Sequence, residues 1–366
     1  MTVSIGVIAY NEEDFLGNVL NDILLQDYPH ELTEVILVNS CSEDGTLKIM
    51  TDFAEKYRAE YGAVKVCENP KKSQAAGWNV VLENADNEVV IRVDAHAHIP
   101  SDFISANIKV LESGENISGG PRPNMTSEDT PYSQMLLLAE SSMFGSSIAD
   151  YRRTDKQEKK YVNSLFHGAY KREVFAAVGG FDEALGRTED NELHYRMRKA
   201  GYRFCYSDSI RSYQYIRSSL YSMLRQKFQN GRWIGLTIGY CPQCLSLYHF
   251  VPFCFVGAIL VCVILLVLGL CLSVPLLTWG LPALMSLYGL VDLLMTAAAW
   301  VTAPKKHLVF LLLFPIFFLL HTAYGMGTII GIIQLPFHLK KHGGSDKNSI
   351  EHIQKIMRQK CEISDK

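Results

Sequence analysis

Two patterns of apolar residues divide the chain. Up to about residue 245, short apolar runs alternate with mixed stretches, whereas from Phe250 to about Phe337 almost every position is apolar. In the first part, residues 3–9, 34–39, 64–68 and 89–94 read as strands: apolar, rich in β-branched side chains and bounded by polar turns. Asn11 reads as the N-cap of a helix with Glu12, Glu13 and Asp14 in its first turn, where the helix dipole favours acids, and with Phe15, Val19 and Ile23 on one face. Residues 40–46 form a polar turn into a second helix that ends near Tyr61 and Gly62, and Ser73 opens a third. This strand–helix alternation predicts an α/β fold around a doubly wound, mostly parallel sheet. Such sheets bind ligands at the carboxyl ends of their strands. Tyr10, Asn39 and Asp94, which close or follow three of the runs, are therefore the places to look.

Beyond Pro100 the pattern is weaker. Residues 117–120 and 165–170 read as strands, 135–139 as part of a helix and 152–160 as a charged loop. Residues 178–183 are rich in turn formers. Thr188 opens a helix through Lys199 that stops at Gly201, and 202–206 is the last strand expected. Residues 219–237 read as an amphipathic helix with basic and aromatic side chains, leading directly into the apolar part.

The apolar part holds three segments long enough for a bilayer core of about 30 Å: residues 256–274, 281–301 and 308–335. Lys305 and Lys306, between the second and third, fit a cytoplasmic loop by the positive-inside rule. A third full crossing would place Lys340, Lys341 and the tail on the opposite side, which that rule disfavours. Asp292 and His321 lie within apolar segments, where polar groups need partners. The resulting division is 1–217 for a cytoplasmic domain, 218–245 for an interfacial segment, 246–337 for a transmembrane region and 338–366 for a polar tail. The location expected is the plasma membrane, multi-pass. Composition adds exclusions. A net charge of −3 over 366 residues, without a basic block, argues against a nucleic-acid partner. A strand pattern that starts at Val3 without a charged leader argues against a signal peptide. The 9 scattered cysteines read as reduced thiols, including the isolated Cys241 and Cys244.

Four clusters carry candidate chemistry. Tyr10-Asn11-Glu12 and Asn39-Ser40 end the first two strands and can surround a base and ribose. Asp94 and His96, two apart at the end of a central strand, would share a face and could hold one divalent cation. Glu189 and Asp190 open a helix near the same edge; taken alone, they are ordinary helix-dipole acids. In Gln229-Asn-Gly-Arg232-Trp233, the Arg could bind a phosphate and the Trp could stack on a sugar or simply anchor at the interface.

Together, Ala9-Tyr-Asn-Glu-Glu13, Ser42-Glu-Asp-Gly-Thr46, Arg92-Val-Asp-Ala-His-Ala97, Val178-Gly-Gly-Phe-Asp-Glu183, Thr188-Glu-Asp190 and Gln229-x-x-Arg-Trp233 resemble the family 2 inverting glycosyltransferases with the GT-A nucleotide-diphospho-sugar fold. The likeness is greatest to their membrane-attached succinoglycan-biosynthesis type, and it covers roughly residues 3–235. It implies that Tyr10 packs on the base and that Glu12 lies beside the nucleotide. Asp94 would contact ribose and the metal-bound diphosphate, with His96 in the place of the usual second acid. Asp190 would be the general base, and Gln229, Arg232 and Trp233 would close over diphosphate and acceptor. The donor would be a nucleotide-diphosphate sugar, the acceptor a polyprenyl-diphosphate-linked saccharide at the membrane lipid, and the product an exopolysaccharide, capsule or cell-wall glycan. Two departures stand out. Asn39 replaces an acid that normally accepts from the base, and the nitrogen ligand His96 favours Mn²⁺ over Mg²⁺. A processive synthase of the cellulose or hyaluronan kind is the alternative; with about three spans it would need a homo-oligomer. A membrane scaffold with a degenerate transferase domain is the second.

Overall fold

The computed structural model describes residues 1–145 and 160–364. In chain order the strands are β1 (Val3–Ala9), β2 (Thr33–Asn39), β3 (Ala63–Glu68), β4 (Val89–Asp94), β5 (Ala97–His98), β6 (Ile117–Gly119), β7 (Asn124–Met125), β8 (Lys160–Val162), β9 (Ala169–Lys171), β10 (Phe204–Tyr206) and β11 (Tyr213–Tyr215). The helices are α1 (Glu13–Leu24), α2 (Thr46–Tyr57), α3 (Gln74–Asn84), α4 (Phe103–Glu112), α5 (Pro131–Ser141), α6 (Arg172–Val178), α7 (Glu189–Lys199), α8 (Leu220–Thr237), α9 (Val251–Cys271), α10 (Pro275–Thr278), α11 (Gly280–Thr302), α12 (Leu313–His342) and α13 (Lys347–Ser364). They form two units. One is Met1–Pro123, Ala149–Tyr215 and Gly343–Lys366; the other is Asn124–Ile148 and Ile216–His342.

The first unit is built on an eight-stranded sheet of order β3-β2-β1-β4-β9-β6-β10-β8. β1 pairs in parallel with β2 and β4, and β2 with β3, while β9 runs antiparallel to β4 and β6. β1, β2 and β4 are mostly apolar on both faces because both faces are covered. Val35 and Leu37 face α1, α2 and α4 with Val7, Ile91 and Val93. Ile36, Val38 and Val90 turn the other way, toward Trp78 and Val81 of α3, Phe175 of α6 and Leu193 of α7. In this parallel register Ala9 lies opposite Asn39 and Ile8 opposite Asp94, which brings three strand ends to one edge.

The second unit contains three helical stretches long and apolar enough to cross a membrane: Leu247–Cys271, Pro275–Thr302 and Leu308–His342. α8 and α12 meet at backbone distance. A Cβ on Gly231 would stand 2.0 Å from the Tyr324 carbonyl oxygen, and one on Gly327 would stand 2.1 Å from that of Phe228. Only glycine fits either position. Asp292 and His321 do not pair with each other: Thr296 Oγ1 donates to Asp292 at 3.4 Å, and the His321 ring lies 2.9 Å from the Tyr288 hydroxyl and 2.5 Å from the Phe144 carbonyl. Among the described residues no disulfide joins any of the cysteines, Cys241 and Cys244 included.

The fold corrects several expectations. Asn11 is not an N-cap. It adopts a left-handed backbone (φ 53°), and the helix starts two residues later with no side-chain cap. The strand expected at 165–170 is only Ala169–Lys171, and β11 follows the strand expected to be last. The charged loop expected at 152–160 lies outside the described residues except for Lys160. The tail is not merely polar: α13 is a helix of the first unit.

Candidate active site

The loop after β1 is fastened to the turn after β2. Asn11 N–H donates to Ser42 Oγ at 3.0 Å, its side-chain oxygen accepts from Glu43 N–H at 2.8 Å, and Glu12 N–H donates to Thr46 Oγ1 at 2.8 Å. The left-handed Asn11 makes this possible, since asparagine tolerates that conformation better than most residues. Tyr10 is thereby left 48% exposed, with Lys72 Nζ 5.7 Å from its ring centre. Asn39 is buried and fully engaged. Its amide donates to both oxygens of Glu68 at 3.1 and 3.0 Å, and its carbonyl accepts from Ser42 N–H at 3.0 Å. The exposed carboxylate beside position 39 is thus Glu68, at the end of the edge strand β3. Sequence reasoning missed it because nothing along the chain links the two.

Asp94 and His96 converge, though not by strand alternation. β4 ends at Asp94, a turn carries Ala95 and His96, and β5 pairs antiparallel with β11. Gln214 of β11 brings the two together: its amide nitrogen is 3.4 Å from Asp94 Oδ2 and 2.9 Å from His96 Nε2. A donating amide assigns the lone pair to Nε2 and the proton to Nδ1, which stands 3.2 Å from Glu12 Oε1. His167 is buried behind Asp94. Its Nε2 accepts from Asp94 N–H at 3.4 Å, and its Nδ1 donates to Ser212. Burial, aided by Arg122 and Arg92, pushes the His167 imidazole down to about 3, so it is neutral near pH 7. Burial pushes the Asp94 carboxyl up, but the nearby positive charge, Arg92 foremost, outweighs it and holds it below the usual carboxylate range.

This donor set fits a divalent cation. Asp94 Oδ1 is buried with no hydrogen-bond partner, and the Nε2 lone pair of His96 is met only by an amide. Among the described residues no group of three or more His, Cys, Asp or Glu side chains surrounds such a position. The remaining coordination would have to come from a ligand or water.

Asp190 reaches the same edge through one residue. It lies in the first turn of α7, and its Oδ1 accepts from Arg92 Nη1. Arg92 is 4% exposed, projects from β4 two residues before Asp94, and lies 4.5 Å over the Trp78 ring centre. Its other terminal nitrogen is 3.9 Å from Asp94 Oδ1. One guanidinium therefore faces both the candidate cation ligand and the candidate base. Glu189 is 2% exposed, and burial, then the Asp190 charge, pushes its carboxyl up to about 8. The signal for Arg92 was present in the sequence as a charge inside an apolar β-branched run, because a buried cation requires a buried anion.

Residues 4–179 match the family model described as Glycosyl transferase family 2. They form a glycosyl transferase family 2 domain. The chain is 26% identical over 242 residues to a dolichyl N-acetyl-α-D-glucosaminyl phosphate 3-β-D-2,3-diacetamido-2,3-dideoxy-β-D-glucuronosyltransferase of Methanococcus voltae, covering 64% of this chain and 74% of that protein. It is 28% identical over 204 residues to the succinoglycan biosynthesis protein ExoA of Rhizobium meliloti, covering 54% of this chain and 58% of that one, less than two thirds of its length. A mannosyltransferase of Pyrobaculum calidifontis, solved with GDP-Man and Mn²⁺, superposes with a TM-score of 0.54 at 20% identity, over 89% of this chain and 86% of that one. That likeness establishes the GT-A fold.

The family 2 match stops short of Asp190 and of the motif on α8. Gln229, Arg232 and Trp233 belong to the second unit. There Arg232 Nε donates to Gln334 Oε1 at 2.7 Å, Trp233 packs edge-on against the His338 ring with centres 5.6 Å apart, and Gln229 is half-buried on the same helix.

Proposed function

We propose that this chain is a membrane-attached inverting glycosyltransferase. It moves one sugar from a nucleotide-diphosphate sugar to a polyprenyl-diphosphate-linked saccharide during synthesis of an exopolysaccharide, capsule or cell-wall glycan, with its family 2 domain on the cytoplasmic side of the plasma membrane. The observation that carries the reading is the line Asp94–Arg92–Asp190. It puts a candidate diphosphate-side carboxylate and a candidate base on two sides of one buried guanidinium, at the strand edge of a family 2 domain. Apolar helices on the same chain, and a relative named for a dolichyl-phosphate-linked sugar, support a lipid-linked acceptor, and a relative named for succinoglycan biosynthesis supports a polysaccharide product.

In this reading Tyr10 covers the base, and Glu68, held by Asn39, supplies the carboxylate that position 39 lacks. Asp94 and His96 would hold a divalent cation, which neutralises charge on the leaving diphosphate when bound. His96 would ligate through Nε2, the nitrogen that the Gln214 amide meets here. Asp190 takes the proton of the acceptor hydroxyl as that oxygen attacks the anomeric carbon from the face opposite the diphosphate, which inverts the centre. Arg92 fixes the carboxylate for that role. Gln229, Arg232 and Trp233 serve diphosphate and acceptor.

The test is transfer from a panel of nucleotide sugars to a polyprenyl-linked acceptor extract, with the wild type and Asp190→Asn compared. One donor should support transfer, and the variant should lose about 10²–10⁴-fold in turnover while still binding nucleotide. Equal turnover in the variant would place the base elsewhere. Mn²⁺ should support faster turnover than Mg²⁺ at saturating metal; equal rates would remove His96 from the ligand set.

A further inference from the structure

The C-terminal helix α13 is part of the catalytic unit, and this limits how the chain can cross a membrane. Ile353 and Met357, one turn apart, are 1% and 0% exposed in the cluster that contains Trp78, Val81 and Phe175. A Cβ on Gly180 would come within 2.6 Å of Ile353, so the glycine pair after α6 is the seat of this helix. The polar side chains of α13 complete it. Gln354 and Arg358 donate to the carbonyls of Ala177 and Ala176 at 2.6 and 2.9 Å. Lys360 Nζ donates to those of Glu83 and Ala85, both at 2.7 Å. These are last-turn carbonyls of α6 and α3, which have no partner within their own helices and which favour cations. Burying the two large apolar side chains adds hydrophobic stabilisation to this seat. The tail is thus held on whichever side of the membrane the catalytic unit occupies.

Residues 216–342 leave that unit and return to it, so their crossings must be even in number, although three stretches are apolar enough to span. α9 and α11 form a natural pair, since no charged residue lies between Cys271 and Gly280. α12 is different. Lysines stand at both of its approaches, Lys305 and Lys306 before it and Lys340 and Lys341 at its end, and both positions favour the same side. At 30 residues it is about 45 Å long, well beyond the roughly 30 Å of a bilayer core. Its apolar window is 33% buried against protein, compared with 11% and 17% for the other two. Phe314, Met326, Ile333 and Phe337 are left uncovered, whereas Phe317, Leu320, Gly327 and Gly331 are buried.

We propose that the chain crosses the bilayer twice, through α9 and α11. α12 enters or lies in the lipid from the face that carries the catalytic unit, and Phe314, Met326, Ile333 and Phe337 are its lipid-contact surface. The inference does not depend on the reaction assigned above.

The test uses the full-length chain with short epitopes at the N-terminus, after residue 366 and between Leu272 and Val274, in right-side-out and inverted membrane vesicles treated with protease. Both terminal epitopes should be cleaved in the same vesicle orientation and the internal one in the other. Terminal epitopes cleaved in opposite orientations would mean an odd number of crossings and would overturn the proposal. An internal epitope cleaved together with the termini would remove the α9–α11 hairpin and do the same. For the surface itself, Ile333→Trp should add fluorescence that brominated acyl chains quench; added fluorescence that these lipids leave unchanged would take α12 out of the lipid.

Discussion

The two units of this molecule turn different surfaces outward. In the first, large apolar side chains such as Ile5, Leu37 and Phe103 are inside, and charge collects at the strand edge around Arg92. In the second, Leu260, Ile264, Leu294 and Val301 face outward, while Gly231, Gly327 and Gly331 let the backbones of α8 and α12 approach closely. Water supplies the difference. In the first unit, removal of apolar area from water drives the packing, and the few buried charges must find partners. In the second unit, the amphipathic α8 and the apolar α12 meet instead by close backbone approach at small residues. A buried charge is therefore the feature that holds the first unit's site together, and a missing side chain is the feature that holds the second unit's helices together.

The largest effect should come from breaking the buried charge. Arg92→Met leaves Asp190 and Asp94 without their shared cation and should cost about 3–5 kcal/mol of first-unit stability. Arg92→Lys keeps the charge but loses the planar group stacked on Trp78, and should fall between the two. Denaturant unfolding of the detergent-solubilised chain measures both. A Met variant within about 1 kcal/mol of wild type would mean that the pair contributes nothing to holding the edge.

A pH dependence sharpens the same comparison. Glu189 loses its proton near its ordinary value of 4.5 when unfolded, but keeps it up to about 8 when folded. The folded state binds the extra proton between those values. Stability from this group is therefore fully present below about 4.5 and is lost as pH rises through about 8. Unfolding at pH 5 and pH 8.5 should show a loss of a few kcal/mol in the wild type that Glu189→Gln largely removes. The same slope in both chains would mean that Glu189 is ionised in the folded protein at neutral pH.

Legibility followed the same division. β1, β2 and β4 were plain because they are mostly apolar runs covered on both faces, and the helices expected to open at Ser73 and Ser219 do so, with both serines as their caps. β8 and β11 were hidden and β9 was blurred because three-residue strands leave little periodicity to read, whereas β10 falls within the expected 202–206. At Asn11 one residue type serves two local structures, an N-cap and a left-handed turn, and only the partner loop at 42–46 decides between them. At the site, the strand ends were legible, whereas Gln214 and Glu68 were not, since each meets its partners only through sheet pairing. For α13 a signal existed in the spacing of Ile350, Ile353 and Met357, but the charged composition masked it.

The smallest effect distinguishes the two kinds of glycine. At Gly6 of β1 an added Cβ would meet Val81 Cγ1 at 2.4 Å, a side-chain atom of α3. At Gly327 it would meet the Phe228 carbonyl oxygen at 2.1 Å, which is backbone. Either alanine overpacks its contact and should cost about 1–3 kcal/mol. The remedies differ. Val81→Ala removes the obstructing methyl groups, so Gly6→Ala with Val81→Ala should recover part of the loss and show favourable coupling in a double-mutant cycle. No truncation of Phe228 moves its carbonyl, so Gly327→Ala with Phe228→Ala should be no better than the sum of the single changes. Thermal unfolding of the four single and two double variants decides it. Additive behaviour at Gly6 would mean that α3 shifts as a whole rather than at Val81. Rescue at Gly327 would mean that α8 and α12 are held apart by side chains, as in a water-soluble core, and the contrast between the two units would fail at the contact where it is sharpest.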